Sequence, residues 1–227
     1  MFEFLEEENI LLEHPSLINS RFSHRSLIVQ GVLYALGGYD KENHLFMNTC
    51  EAYDLKESWL TYKQKPNQSF IVSTISKLET DNKWREIAPM LHKWARFGAC
   101  AFRNTSIYVF CGISFVEGRE NDQKSVSLEL NSIEKYDIAN DVWTEIVLSR
   151  GSLTPCHNLG SVSCYGLHCQ EEGMIIFGGE YVTAESEDPI IIQDVFLFSP
   201  DNKRVKNIGK NSKVRYGPKL QDNTRYQ

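Results

Sequence analysis

Short apolar runs of strand length recur along this chain, and three of them end alike, on a pair of small residues: LYALGGYD (33–40), IYVFCGIS (107–114) and MIIFGGEY (174–181). Each is followed, after a polar loop of variable length, by a second run that closes on a polar turn: CEAYDLKESW (50–59), IEKYDIANDVW (133–143) and VFLFSPDNKRV (195–205). The runs are rich in Val, Ile, Tyr and Phe and lie between clusters of Gly, Asn, Asp and Lys, which is the texture of strands and turns. Helical signals are scarce. Only residues 2–13 offer a short helix, and their apolar positions fit a strand or a helix equally badly. Self-similarity of this kind predicts a row of similar sheet units, not one domain with one unique site.

The register of strands makes the repeat fuller. The middle unit reads as ARFGACAF (95–102), IYVFCG, NSIEKYD and VWTEI. The first has RFSHRSLIV (21–29), VLYALGG and TCEAYD (49–54); the third has LGSVSCYG (159–166), MIIFGGE, DVFLFS (194–199) and RVKNIG (204–209). Four short strands per unit, repeated around an axis, is the layout of a β-propeller, whose blades bury both faces against neighbours.

Particular residues sharpen this. Gly37–Gly38 and Gly178–Gly179 end their strands, and Gly112 follows Cys111 at the same place in the middle unit. Tyr53–Asp54 and Tyr136–Asp137 close the next strand, and Trp84 and Trp143 open the one after. In order and spacing this resembles the kelch repeat. Arg21 and Arg96 sit where the kelch pattern often has an arginine. The resemblance implies an all-β fold, an incomplete kelch-type β-propeller of three to four four-stranded antiparallel blades. Chemistry supports the pattern independently. Glycine at a strand end permits torsions and close approaches that a Cβ blocks. Large aromatic rings fill the wedge between sheets. An Asp after Tyr can bond backbone amides two residues on.

The units divide the chain into an N-terminal segment (1–20), unit one (21–90), unit two (91–149), a degenerate unit three (150–210) and a basic tail (211–227). Cys111 in place of the first glycine is a mild change if the residue has ordinary β geometry. Unit three has Phe198–Ser199 for Tyr–Asp and Val205 for Trp. Residues 55–84 hold two candidate copies of the turn and Trp, KESW and ISKLETDNKW, so they contain either an insertion or a blade reduced to its last two strands. The second is preferred, because ISKLETDNKW lines up with IEKYDIANDVW. Three blades cannot close a ring that ordinarily needs about 4–8, and an open array leaves sheet edges that invite pairing. The chain is therefore expected to pair with a second copy, to complete a ring with another chain, or to be a shortened array. FEFLEEENILL and KVRYGPKL (213–220) read as pieces of flanking blades.

Composition changes the picture little. The 227 residues are 41% hydrophobic, enough for a core, and no run approaches membrane-spanning length. The N-terminus is acidic where a secretory signal is basic, so the cytoplasm is the expected address and the six cysteines are expected as thiols. Net charge is −6, yet residues 201–227 carry eight Lys or Arg against Asp201 and Asp222, a local +6. With few interleaved aromatics this reads as a solvated tail, and nucleic acid is not an expected partner.

The reactive groups of the sequence each have a packing role as the alternative to chemistry. Cys156, His157, Cys164, His168 and Cys169 form the densest cluster, but their spacing matches no standard zinc finger. Cys100 and Cys111 fall on strands that should pair, as buried thiols. Glu185, Glu187 and Asp188 lack the calcium-loop ladder. No Walker loop, G-x-G-x-x-G, H-E-x-x-H or G-x-S-x-G occurs. No metal, cofactor or catalysis is expected. The resemblance implies instead a protein-interaction scaffold, or alternatively the recognition subunit of a cullin-type ubiquitin ligase acting with a separate adaptor chain. A propeller enzyme is the weakest alternative. Loops 39–48, 114–130 and 181–192 each follow a glycine-pair strand and should emerge on one face, with Tyr39, His44, Phe46, Phe115, Arg119, Tyr181 and Glu185 as candidate contacts.

Overall fold

The structure, a computed structural model, describes residues 2–5, 10–13, 15–55, 83–116, 126–165, 171–183 and 186–211. Within residues 2–13 the described positions are strands and not helix, β1 (Phe2–Leu5) pairing antiparallel with β2 (Ile10–Glu13). Three antiparallel sheets follow. Blade one is β3 (Arg25–Val29), β4 (Val32–Asp40), β5 (Leu45–Asp54) and β6 (Arg85–Ile87) in that spatial order. Blade two is β7 (Gly98–Phe102), β8 (Ser106–Val116), β9 (Val126–Asp137) and β10 (Val142–Glu145). Blade three is β11 (His157–Cys164), β12 (Gly173–Thr183), β14 (Asp194–Ser199) and β15 (Arg204–Lys210), with an additional β13 (Ser186–Ile191) on β12. No helix among the described residues is long and apolar enough to cross a membrane.

Both faces of β4 and β8 are covered, which is why those runs are apolar without alternation. Tyr34 and Leu36 face blade two, where they meet Ile107, Val109, Tyr136 and Trp143. Tyr108, Phe110 and Ile133 face blade three and meet Met174, Ile176, Phe198 and Val205. A third cluster, Ala35, Tyr53 and Trp84 with Leu17 and Leu33, lies on the other face of blade one. Tyr53 packs on Trp84 with ring centroids 5.4 Å apart, and Tyr136 on Trp143 at 5.1 Å. Phe198 pairs with Val205 in the register where Tyr136 pairs with Trp143, so the degenerate unit keeps the geometry with smaller groups. The Asp137 carboxylate accepts the Ala139 and Asn140 amides and closes the β9–β10 turn.

β6 pairs with β5, so residues 55–84 join the third and fourth strands of one blade and Trp84 belongs to blade one. That pairing does not fit the preferred reading of a reduced blade; residues 56–82 themselves lie outside the described residues.

The sheets converge at their first strands through a repeated stitch. Ser23, Arg96 and Asn158 all take left-handed torsions, with φ of 54, 56 and 59°. The Arg96 amide donates to the Ser23 carbonyl at 3.0 Å, and the Asn158 amide to the Arg96 carbonyl at 2.7 Å. The Gly38 and Gly112 amides donate to the carbonyls of Trp94 and Cys156, each at 2.7 Å, one blade further on. Arg25, unnoticed in the sequence, reaches across all three units: its guanidinium donates to the Phe97 carbonyl and, at 3.2 Å, to that of Leu159.

This stitch corrects the placement of Arg96. The bridges Phe22 to Tyr39 and Ala95 to Ile113 put Trp94, not Arg96, in register with Arg21. The β7–β8 turn has one residue more than the β3–β4 turn, so counting back from the glycine loses the register. Cys111 is corrected too. Its φ is 55°, a left-handed geometry, not an ordinary strand one.

Arg21 and Glu51 form an ion pair whose side chains are wholly inaccessible. Glu51 also accepts the Ile18 and Asn19 amides, at 2.8 and 3.0 Å. In blade two Trp94 cannot supply the charge, and Glu134 is met instead by the Leu91 and His92 amides and by His92 Nδ1 at 2.6 Å. Burial raises the Glu134 carboxyl above its ordinary 4.5, while the His92 hydrogen bond pulls the other way. A raised folded-state value means the stability is fully present below 4.5 and is lost as pH climbs through the folded value. His92→Ala removes the opposing contact, so the variant should lose about 1–2 kcal/mol at neutral pH and little in acid. Urea unfolding across pH measures this, and an equal loss at both ends would refute it.

Candidate functional site

The expected binding loops prove to be extensions of paired strands. β4 and β5 run past the glycine pair to Asp40 and Leu45, β8 and β9 to Val116 and Val126, and β12 continues to Thr183 before turning into β13. All three extensions lie beyond the left-handed residues Gly38, Gly112 and Gly179, on the same side of their blades.

At blade one the extension builds an aromatic group. Tyr39 meets Phe46 edge-on at 5.1 Å and Phe22 at 5.2 Å, and its hydroxyl shares a hydrogen bond with His44 Nδ1 at 3.3 Å. Phe46 is buried, whereas the Phe22 ring is 46% exposed. Between this group and blade two lies a cavity of about 220 Å3, lined by Phe22, Ser23, Tyr39, Phe46, Ala95, Arg96 and Ile113. It has an aromatic wall, an aliphatic floor and one exposed guanidinium-bearing residue, Arg96. The left-handed backbone at Ser23 and Arg96 brings both strand starts to its rim.

At blade three the corresponding surface is acidic and internally paired. His157 is buried, with Nδ1 at 3.2 Å from Glu129 and Nε2 at 3.4 Å from Glu180. Glu129 also accepts the Val182 amide at 3.0 Å, and Glu180 accepts Asn158 Nδ2 at 2.7 Å. These contacts hold β9, β11 and β12 together at one rim.

The candidate contacts therefore separate. Tyr39, His44 and Phe46 come together, but Phe46 is a wall and not a free contact. Tyr181 is half-buried against the core between blades two and three. Phe115 lies on β8 opposite Ser127. Arg119 and Glu185 lie outside the described residues. Sequence reasoning missed Phe22, Ser23 and Ile113 and treated Arg96 as structural. The parallel between RFS (21–23) and WAR (94–96) was the available signal.

Among the described residues no group of three or more His, Cys, Asp or Glu could hold a metal ion. Cys156 instead meets Cys111, whose thiol is pushed well up by that contact and by burial. The expectation of thiols throughout is corrected at Cys164, which is disulfide-bonded, whereas Cys50, Cys100, Cys111 and Cys156 are free. His168 and Cys169 lie outside the described residues.

Comparison with known proteins agrees with this architecture. Residues 20–60 match the family model of the Kelch motif. Among solved structures the chain is similar to YjhT, with a TM-score of 0.56 and 14% identity over 87% of this chain and 54% of that one. The chain thus spans about half the length of that structure. No curated protein matches the sequence. The chain carries a kelch motif and has the fold of an incomplete kelch-type propeller.

Proposed function

We propose that this chain is a non-catalytic, cytoplasmic protein-interaction scaffold, and that it binds its partner on the side where the strand extensions emerge. The observation that carries the reading is the cavity between blades one and two. An aromatic wall beside an exposed arginine suits an apolar side chain followed by a carboxylate on a partner peptide. The cavity is small, so it takes an anchor residue and not a metabolite-sized ligand. The free thiols favour the same reading. Burial lifts Cys50 to about 12 and Cys100 to about 11, and neither is a nucleophile at neutral pH.

The test is selection of a phage-displayed random peptide library on the whole chain, followed by titration of the selected peptides. Phe22→Ala and Arg96→Glu should each weaken binding at least about tenfold, since anchors of this type contribute about 1–2 kcal/mol or more. Glu86→Lys, on the exposed fourth strand of blade one, should leave it unchanged. Peptides that bind both cavity variants as well as the parent would overturn the proposed site.

A further inference from the structure

A strap of chain roofs the rear face of blade one and leaves a cavity beneath it. The strap is fastened at both ends. Trp84 Nε1 donates to the Pro15 carbonyl at 3.0 Å, and the Ile18 and Asn19 amides donate to the Glu51 carboxylate at 2.8 and 3.0 Å. Glu51 is in turn held by Arg21, and both side chains are wholly inaccessible. Between the fastenings, Pro15 to Leu17 face the first two strands of blade one across a cavity of about 390 Å3. Leu17, Leu33, Ala35 and the Trp84 ring give it an apolar wall.

The polar part of the wall differs from the other blades. By strand register His24 stands where blades two and three have Phe97 and Leu159. Those two side chains are buried between blades and fill their junctions. At blade one an imidazole takes the place, with Ser16 and Ser26 beside it on the cavity. Among the described residues none of these three side chains has a hydrogen-bond partner, whereas His44, His92 and His157 each have one. Burial lowers the His24 imidazole below its ordinary 6.5 and Arg21 adds to this, so the ring is uncharged at neutral pH. Glu51 pulls the other way, and Arg25 acts with Arg21. The Arg25 guanidinium meets the Phe97 and Leu159 carbonyls, and among the described residues no carboxylate pairs with it.

A neutral imidazole and two hydroxyls can all donate, and the charges around them are two guanidinium groups against one carboxylate. That set complements a group that only accepts and is itself negative, which describes a carboxylate. The volume falls within the range of small-molecule sites, about 300–1,000 Å3, and holds roughly a dozen non-hydrogen atoms. We propose that this cavity binds a small carboxylic acid with an apolar ring or branched body, its carboxylate at His24 and its body against Leu33 and Trp84. Such a ligand bridges the strap and the sheet, so it also stabilises blade one by mass action. The site shares no residue with the cavity between blades one and two, and neither depends on the other.

The test is titration of phenylacetate and of cyclohexylacetate into the whole chain, followed by amide and indole NMR correlation spectra. Saturable shifts are expected at the Trp84 indole N–H and at the Ser16, Leu17 and Ser26 amides. The dissociation constant should be about 1 mM or below, as suits ligands of about ten non-hydrogen atoms. Phenylacetamide, of the same size but uncharged, should bind at least about tenfold more weakly than phenylacetate. Ser26→Phe puts a ring into the cavity from an exposed position, so it should abolish the shifts and keep the circular dichroism spectrum. His24→Ala should weaken phenylacetate at least about tenfold, the worth of a hydrogen bond to a charged group, and phenylacetamide less. Equal affinity for acid and amide, or binding that survives Ser26→Phe, would overturn the proposal. So would shifts confined to the Ala95, Arg96 and Ile113 amides, which would place the probe in the other cavity, or no saturable shift with either acid.

Discussion

Arg21→Met should lower the unfolding free energy by about 3–5 kcal/mol, the usual cost of leaving one member of a buried ion pair alone. Both side chains are fully inaccessible, so water cannot rescue the stranded Glu51 carboxylate. The arginine also donates to the Gly37 carbonyl at 3.0 Å and the Thr49 carbonyl at 2.7 Å, and these acceptors would lose their partner as well. Replacing Glu51 too does not restore the balance. Glu51 holds the Ile18 and Asn19 amides, and removing it orphans buried donors at about 1–3 kcal/mol each. The segment at risk runs from Pro15 to Asn19 and carries the carbonyl that Trp84 uses. The expected outcome is a melting temperature lower by roughly 6–20 °C, with Arg21→Met/Glu51→Leu no better than the single variant. A drop of under about 1 kcal/mol would mean that the pair is replaceable and that packing alone fixes the first strand of blade one.

The contrast with blade two explains which parts of the fold the sequence displays. Strand identity and blade order are legible, because a strand buried on both faces must be apolar throughout and the glycine pair must stand where Cβ would collide. The tyrosine and tryptophan positions are legible for the same reason, since only large rings fill the wedge. Register is not. Arg96 lies one residue nearer its glycine than Arg21 does, and the extra residue in the β7–β8 turn adds a second step, so Arg96 stands at the exposed site of Ser23 and not at the buried site of Arg21. Its role is thereby reversed, from a buried structural group to the charged lip of the cavity. His92 does for Glu134 part of what Arg21 does for Glu51, and no pattern of residue types announces that exchange. The cavity was illegible for a related reason. It is made by Phe22, Tyr39 and Phe46 of blade one with Ala95, Arg96 and Ile113 of blade two, and only the stitch of backbone bonds between left-handed residues brings them together. The loops that looked longest contributed less, because they continue as paired strands.

Gly37→Ala and Gly178→Ala test the same register position inside the array and at its open end, and the two should differ sharply. Both residues have left-handed torsions, φ of 54° and 69°, so an added Cβ costs about 1–2 kcal/mol at either site. At Gly37 the new carbon would also lie 2.5 Å from Met90 Cε and 2.7 Å from the Trp94 carbonyl. The methionine end can move. The carbonyl cannot, since it accepts the Gly38 amide that stitches blade one to blade two. Overpacking there adds about 1–3 kcal/mol, for a total of about 2–5 kcal/mol. At Gly178 nothing lies within 4 Å, and the torsional cost stands alone. Cys111 shows that the position accepts a side chain when the neighbours leave room. It keeps a φ of 55°, with its sulfur 3.8 Å from the Thr154 carbonyl. Denaturant unfolding of both variants reads the difference directly. Equal losses at the two glycines would show that torsion and not inter-blade contact governs this position.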